Sequence, residues 1–263
     1  MSGSKPTLRL NVFTSLRACF RISTSTSTRS AGKRSEKKDN LIPCQEFARP
    51  GSHFQSPMPS YKLTYFDLRY LGEGPRLIFH QAGVPYEDIR LKPEDWIPLK
   101  PKTPFGQLPI LEVNGEMISQ SHAICRYLAH QFGLAGKTPM EEALIDSIAD
   151  GHKDFFNECS PYFLILGGHK KGDKDAIYKE TVVPARNKYL VALEKFLAKS
   201  GSGFLVGKSL TWVDLIVTEY IATWDSINPT FLHGHPKVKK YVQSIRALPN
   251  IKKWIEERPN TIF

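Results

Sequence analysis

The chain has no run of eighteen apolar residues, so no segment is long enough to cross a bilayer as a helix. Cysteine is scarce: only Cys19, Cys44, Cys125 and Cys159 occur in 263 residues, with neither a CxxC pair nor zinc-ligand spacing. That excludes a disulfide scaffold and a CxxC redox centre, and fits reduced thiols in an intracellular protein. Acidic side chains are missing altogether from residues 1–35. No dinucleotide loop is present, because in Gly72-Glu73-Gly74-Pro75 a proline follows the second glycine and Leu77 stands where a third is needed. His233 and His235 lack further ligands at metal spacing, so no metal is expected.

What is present divides sharply. Residues 1–57 carry ten Lys/Arg against three Asp/Glu, which accounts for most of the formal net charge of +10. The remainder is nearly balanced and shows no basic stripe interleaved with aromatics, so no nucleic-acid partner is expected. In residues 1–57, arginines at 9, 17, 21 and 29 alternate with Ser, Thr and apolar residues. That composition fits a mitochondrial-type transit peptide, or a disordered basic extension with Met58 starting the functional polypeptide.

From Tyr61 the pattern becomes regular. Tyr61–Phe66 reads as a strand, Gly72-Glu73-Gly74-Pro75 as the lead into a helix closed at Gly83, and residues 86–91 as a second strand. Four prolines in residues 92–104 predict an irregular surface segment. Ile110–Val113, an Asn114-Gly115 turn and residues 116–119 predict a hairpin, followed by a helix from Ser121 to about Phe132. Beyond Gly136 only helical periodicity remains. Thr211-Trp212-Val213-Asp214 has the form of a capping box, which assigns Asp214 to a helix start rather than to catalysis. The fold class is therefore a small α/β domain with a mixed four-stranded sheet, followed by an all-helical domain. The stretch from Pro104 to Ser121 gathers a proline-entered strand, a hairpin and a helix N-terminus at one place, which suits a small peptide with carboxylates.

Tyr61-Lys62-Leu63-Thr64-Tyr65-Phe66, Trp96, Lys100, Pro104-Phe105-Gly106-Gln107-Leu108-Pro109, Gln120-Ser121, Arg126-Tyr127-Leu128-Ala129 and Thr211-Trp212-Val213-Asp214 occur in this order. On these words, residues 58–263 resemble a sigma-class glutathione transferase, similar to the nematode members and to prostaglandin D synthases. The resemblance implies a thioredoxin-like glutathione-binding domain over residues 58–136 and, over residues 139–263, a helical domain lining the hydrophobic-substrate site. It implies a cytoplasmic homodimer with glutathione as cosubstrate, with a mitochondrial location as the alternative if residues 1–57 direct it there.

Tyr65 is then the catalytic residue, a phenol that stabilises the glutathione thiolate. Glutathione is held by Tyr65, Trp96, Lys100, Gly106, Gln107, Leu108, Pro109, Gln120 and Ser121, with a cis bond before Pro109, and by Asp154 reaching across the dimer. Phe66 and Leu71, with Phe155 or Phe156, line the acceptor pocket. The chain departs from the family pattern at Tyr70 and Leu71, where glycine and arginine are usual, and Arg69 is the nearby cation. The activity implied is conjugation of glutathione to apolar electrophiles. Prostaglandin isomerisation or hydroperoxide reduction would use the same thiolate, and a non-catalytic ligand carrier or crystallin-like protein is the alternative of another class.

Overall fold

The computed structural model describes residues 59–261 and 263; the expectations for residues 1–57 and for Met58 lie outside them. The first strand, β1 (Tyr61–Phe66), is aromatic and β-branched, and all but Lys62 of its side chains are buried. It runs parallel to β2 (Glu87–Leu91) and antiparallel to β3 (Ile110–Val113), which pairs in turn with β4 (Glu116–Ser119). The order β2-β1-β3-β4 puts β1 and β3 inside the sheet. Asn114 (φ 50°) and Gly115 (φ 90°) both take positive φ, as a two-residue hairpin turn of the right twist requires. This is the thioredoxin-like arrangement, with helices α1 (Tyr70–Ala82) and α3 (Ser121–Phe132) packed together.

Helix α1 begins earlier than the sequence suggests, so that Gly72-Glu73-Gly74-Pro75 lies inside it. Both glycines are there for close approach. A Cβ on Gly72 would come within 2.4 Å of the Tyr65 ring, and one on Gly74 within 2.8 Å of Ile216 Cγ2. Pro75 gives up one bond to the carbonyl four residues back. The segment expected to be irregular is also corrected: it forms α2 (Pro93–Leu99) and a 3₁₀ turn (Lys100–Lys102). Pro93 takes the first helical position, where its missing N–H costs nothing, and the Asp95 carboxylate accepts from the Lys92 N–H at 3.3 Å.

The helical part comprises α4 (Pro139–Leu166), α5 (Lys174–Ile177), α6 (Val183–Ser200), α7 (Trp212–Ile227), α8 (Pro236–Arg246) and α9 (Pro249–Glu257). Helix α7 is buried almost throughout and packs on α1, so the two parts of the chain share one apolar core. Asp214 caps α7 as expected and does more. Its carboxylate accepts from Thr211 N (2.9 Å), Thr211 Oγ1 (2.8 Å), Leu205 N (2.9 Å) and the Tyr241 hydroxyl (2.8 Å). It therefore ties the loop before α7 and helix α8 to one point. Asp214→Ala leaves three buried donor groups besides the cap unpaired, and we expect a loss of about 3 kcal/mol, read as a lower urea midpoint with unchanged slope.

Candidate active site

Between the end of the sheet and α4 lies a cleft of about 470 Å³. Tyr65 stands at its wall. Strand β1 delivers the side chain, the bare backbone at Gly72 covers one side of the ring, and only 4% of the residue is exposed. The backbone N–H of Leu71 donates to the phenol oxygen. Burial pushes the phenol above its ordinary range, against the opposing effects of that amide and of Arg76. Tyr65 is therefore a neutral O–H at any working pH. Besides accepting from Leu71, the neutral phenol keeps an O–H to donate.

The structure brings most of the candidate glutathione residues to this one cleft: Tyr65, Trp96, Lys100, Gly106, Gln107, Leu108, Pro109, Gln120 and Ser121 all line it. Trp96 is buried edge-on against Phe66, with ring centroids 6.2 Å apart. The Leu108–Pro109 bond is cis. Gln120 precedes the first residue of α3 and adopts φ 74°, a left-handed backbone that costs a glutamine about 1–3 kcal/mol. Its side chain makes no cap; instead its Nε2 donates to Gln107 Oε1 at 2.9 Å. The first N–H groups of α3 are thus left uncapped by Gln120 at the cleft wall, where a helix N-terminus favours an anion.

Asp154 is exposed on α4 and is not among the residues of this chain that line the cleft. Phe66, Leu71 and Phe156 line it, whereas Phe155 does not. One residue along a helix is a rotation of about 100°. Phe155 consequently turns into the core, 2% exposed and stacked on Tyr189 at 4.3 Å.

Arg69 does not replace the cation absent at Leu71. Its guanidinium donates to Glu219 Oε1 at 2.8 Å and to the Thr261 carbonyl at 3.2 Å. Glu219 also binds Arg246 (2.7 Å) and Arg258 (3.0 Å), and Arg258 reaches Glu73 at 2.8 Å. Burial resists ionisation of Glu73, yet Arg258 and Arg76 hold its carboxyl below the usual carboxylate range. This ionic lattice fastens the loop after β1 to α7, α8 and α9 behind the cleft.

Further residues line the cleft that the sequence did not assign to it, among them Tyr70, noted there only as a departure from the family pattern, His122 and His152. Tyr70 packs its ring on Phe156 at 4.6 Å and takes φ 32°, an uncommon backbone for a tyrosine. His122 follows Ser121 on α3 and His152 faces it from α4, with ring centroids 6.4 Å apart. His152 Nδ1 shares a hydrogen bond with the Tyr189 hydroxyl at 2.8 Å. The helical period marks such positions as inward-facing but cannot say that the inside is a cleft.

Residues 61–130 match the model of the glutathione S-transferase N-terminal domain, and residues 153–258 that of the C-terminal domain. Glutathione S-transferase 1 of Ascaris suum is 65% identical over 206 residues, which is 78% of this chain and 100% of that protein. The chain belongs to the glutathione S-transferase family. The crystal structure of the transferase from Ascaris lumbricoides superposes with a TM-score of 0.76 at 64% identity, covering 78% of this chain and 100% of that one. Na-GST-3 of the hookworm Necator americanus, described as monomeric, superposes equally well at 0.76 with 47% identity and the same coverage. No helix among the described residues of this transferase is long and apolar enough to cross a membrane.

The histidine pair predicts that this transferase loses stability in acid. Burial, and then His122, pushes His152 down to about 3; burial, and then Lys153, pushes His122 down to about 4. Below the ordinary histidine pKa of about 6.5 the unfolded chain therefore takes up protons that the folded one refuses. The stabilising effect is complete above that value and is lost as pH falls toward about 4, with a slope approaching two protons or about 2.7 kcal/mol per pH unit. Urea denaturation of the native protein and of His152→Gln across this window should give slopes differing by one proton; equal slopes would refute the assignment.

Proposed function

We propose that this glutathione transferase is of the sigma class and conjugates glutathione to apolar electrophiles, and that the Tyr65 hydroxyl donates to the glutathione sulfur. The observation that carries this reading is the buried, neutral phenol at the end of β1, its oxygen occupied by the Leu71 N–H. A donor aimed at sulfur favours thiolate over thiol, and a hydrogen bond to a charged group is worth about 1.5–3 kcal/mol, or one to two pKa units. The thiol proton goes to water. The thiolate then attacks the electrophilic carbon, forming the C–S bond and expelling the leaving group or adding across a polarised double bond.

The peptide would bind by the groups gathered in the cleft. The Leu108 backbone pairs with the cysteinyl unit, beside Pro109 and with Gly106 and Gln107 forming the loop. Gln120, Ser121 and the first N–H groups of α3 take the γ-glutamyl carboxylate. Trp96 and Lys100 take the glycine end, where Lys100 supplies the positive charge. The acceptor lies against Phe66, Leu71, Phe156 and Tyr70, an apolar wall that holds it by burial rather than by charge. Holding both reactants together supplies the rest of the acceleration.

Asp154 enters this scheme only in a dimer, from a second copy, as a partner for the glutathione α-amino group. Its exposure and its place outside its own cleft support that reading. The uninterrupted set of cleft residues, together with a close curated relative named as a transferase, favours turnover over a non-catalytic carrier.

Tyr65→Phe should still be retained on immobilised glutathione while losing about ten- to a hundredfold in turnover of a chloronitrobenzene acceptor. Wild-type retention without turnover would instead identify a carrier. In a dimer verified by sedimentation, Asp154→Asn should raise KM for glutathione several-fold and leave kcat unchanged; no change in KM would remove Asp154 from the site.

A further inference from the structure

Arg76 is fully buried on α1, one helical turn beyond Gly72, and takes no part in the scheme above. Its Nε is held by both oxygens of Asp88 on β2, at 3.1 and 3.2 Å. Its Nη1 donates to the Leu68 carbonyl at 2.7 Å, inside the loop that follows Tyr65, and to Glu73 Oε2 at 3.3 Å. Its Nη2 has no hydrogen-bond partner among the described residues, although the side chain is wholly out of water. The guanidinium carbon lies over the Tyr65 ring, 6.0 Å from the centroid. A buried N–H without an acceptor is costly, and an aromatic face at this distance is the electron-rich surface available to it.

We infer that Arg76 is a positioning residue for the transferase reaction: it clamps the β1–α1 loop through the Leu68 carbonyl and sets the Tyr65 phenol against the glutathione sulfur. Two carboxylates share its charge, Asp88 and Glu73, and Arg258 and Arg90 share those carboxylates in turn. The effect on the sulfur therefore runs through the placement of the phenol rather than through a bare charge. Lysine at this position keeps the charge but has neither the flat face for the ring nor the fork that grips Asp88 and Leu68 together. The proposal rests on the reading that Tyr65 polarises the sulfur.

The test measures thiolate absorbance of glutathione bound to the wild-type protein, to Arg76→Lys, to Tyr65→Phe and to the double variant, with glutathione affinity measured alongside. Arg76→Lys should bind glutathione within about threefold of wild type yet hold about tenfold less of it as thiolate at neutral pH. On the Tyr65→Phe background the lysine substitution should add nothing, because its effect passes through the phenol. If Arg76→Lys folds, binds and shows the wild-type thiolate fraction while Tyr65→Phe loses it, Arg76 is a scaffold residue and this inference fails alone. If Tyr65→Phe keeps the thiolate, the reading of Tyr65 fails and takes the inference with it. Should Arg76→Lys not fold, Arg76→Gln, which still offers a donor to the Leu68 carbonyl, takes the same measurements with the same two outcomes.

Discussion

The site depends on one contact: the face of the Tyr65 ring against the backbone of α1 at Gly72, where any side chain atom would collide. That contact brings the helix so near the strand end that the Leu71 amide meets the phenol oxygen. It also buries the phenol, and burial keeps it protonated. A tyrosine kept protonated in this way retains an O–H to donate. The same helix must lie close to α7 on its other side, which Gly74 permits. The two glycines thus let α1 serve as the wedge between sheet and bundle, and the cleft opens where that wedge ends.

Charge is distributed around the site in an uneven way. Glu73, Arg76, Arg258, Glu219, Arg246 and Arg69 form a largely buried lattice behind the cleft, while Leu71 and Tyr70 present apolar surface to it. Removing one member of such a lattice leaves an uncompensated charge in a low-dielectric setting. The lattice therefore fixes the loop after β1 more firmly than its own short length would. Arg69 is spent on that task, and so the acceptor side lacks the cation that an arginine at position 71 would supply. On the proposed mechanism, a thiolate here relies on hydrogen bonding.

Much of this was legible in the sequence because it rests on local rules. The Asn114-Gly115 turn and the Thr211 to Asp214 box each act within a few residues and formed where expected, whereas the cis bond before Pro109 was implied by the family resemblance. The failures are those of longer range. Four prolines obscured α2 because what admits Pro93 is its position at the helix start, and this depends on where the preceding strand ends. Gly72 and Gly74 look like a helix breaker until the ring and the Ile216 side chain are set against them. Phe155 and Phe156 are equivalent in composition, and only the phase of α4 sends one to the core and the other to the cleft. Arg76 reads as an ordinary helix arginine, since nothing local announces the Asp88 that arrives from β2.

Strain completes the picture of where binding energy is directed. Gln120 holds a left-handed backbone and Tyr70 a sparsely populated one, both at the cleft and neither at a glycine. Such backbones persist only where neighbours over-determine them. At Gln120 those neighbours are the Gln107 side chain and the start of α3, which leave the first N–H groups of the helix uncapped by Gln120 at the cleft wall. A ligand carboxylate that takes those N–H groups thus meets donors already in place and need not organise them. The cost was met in folding, by the shared core of sheet and bundle, and affinity for the small peptide gains what preorganisation saves.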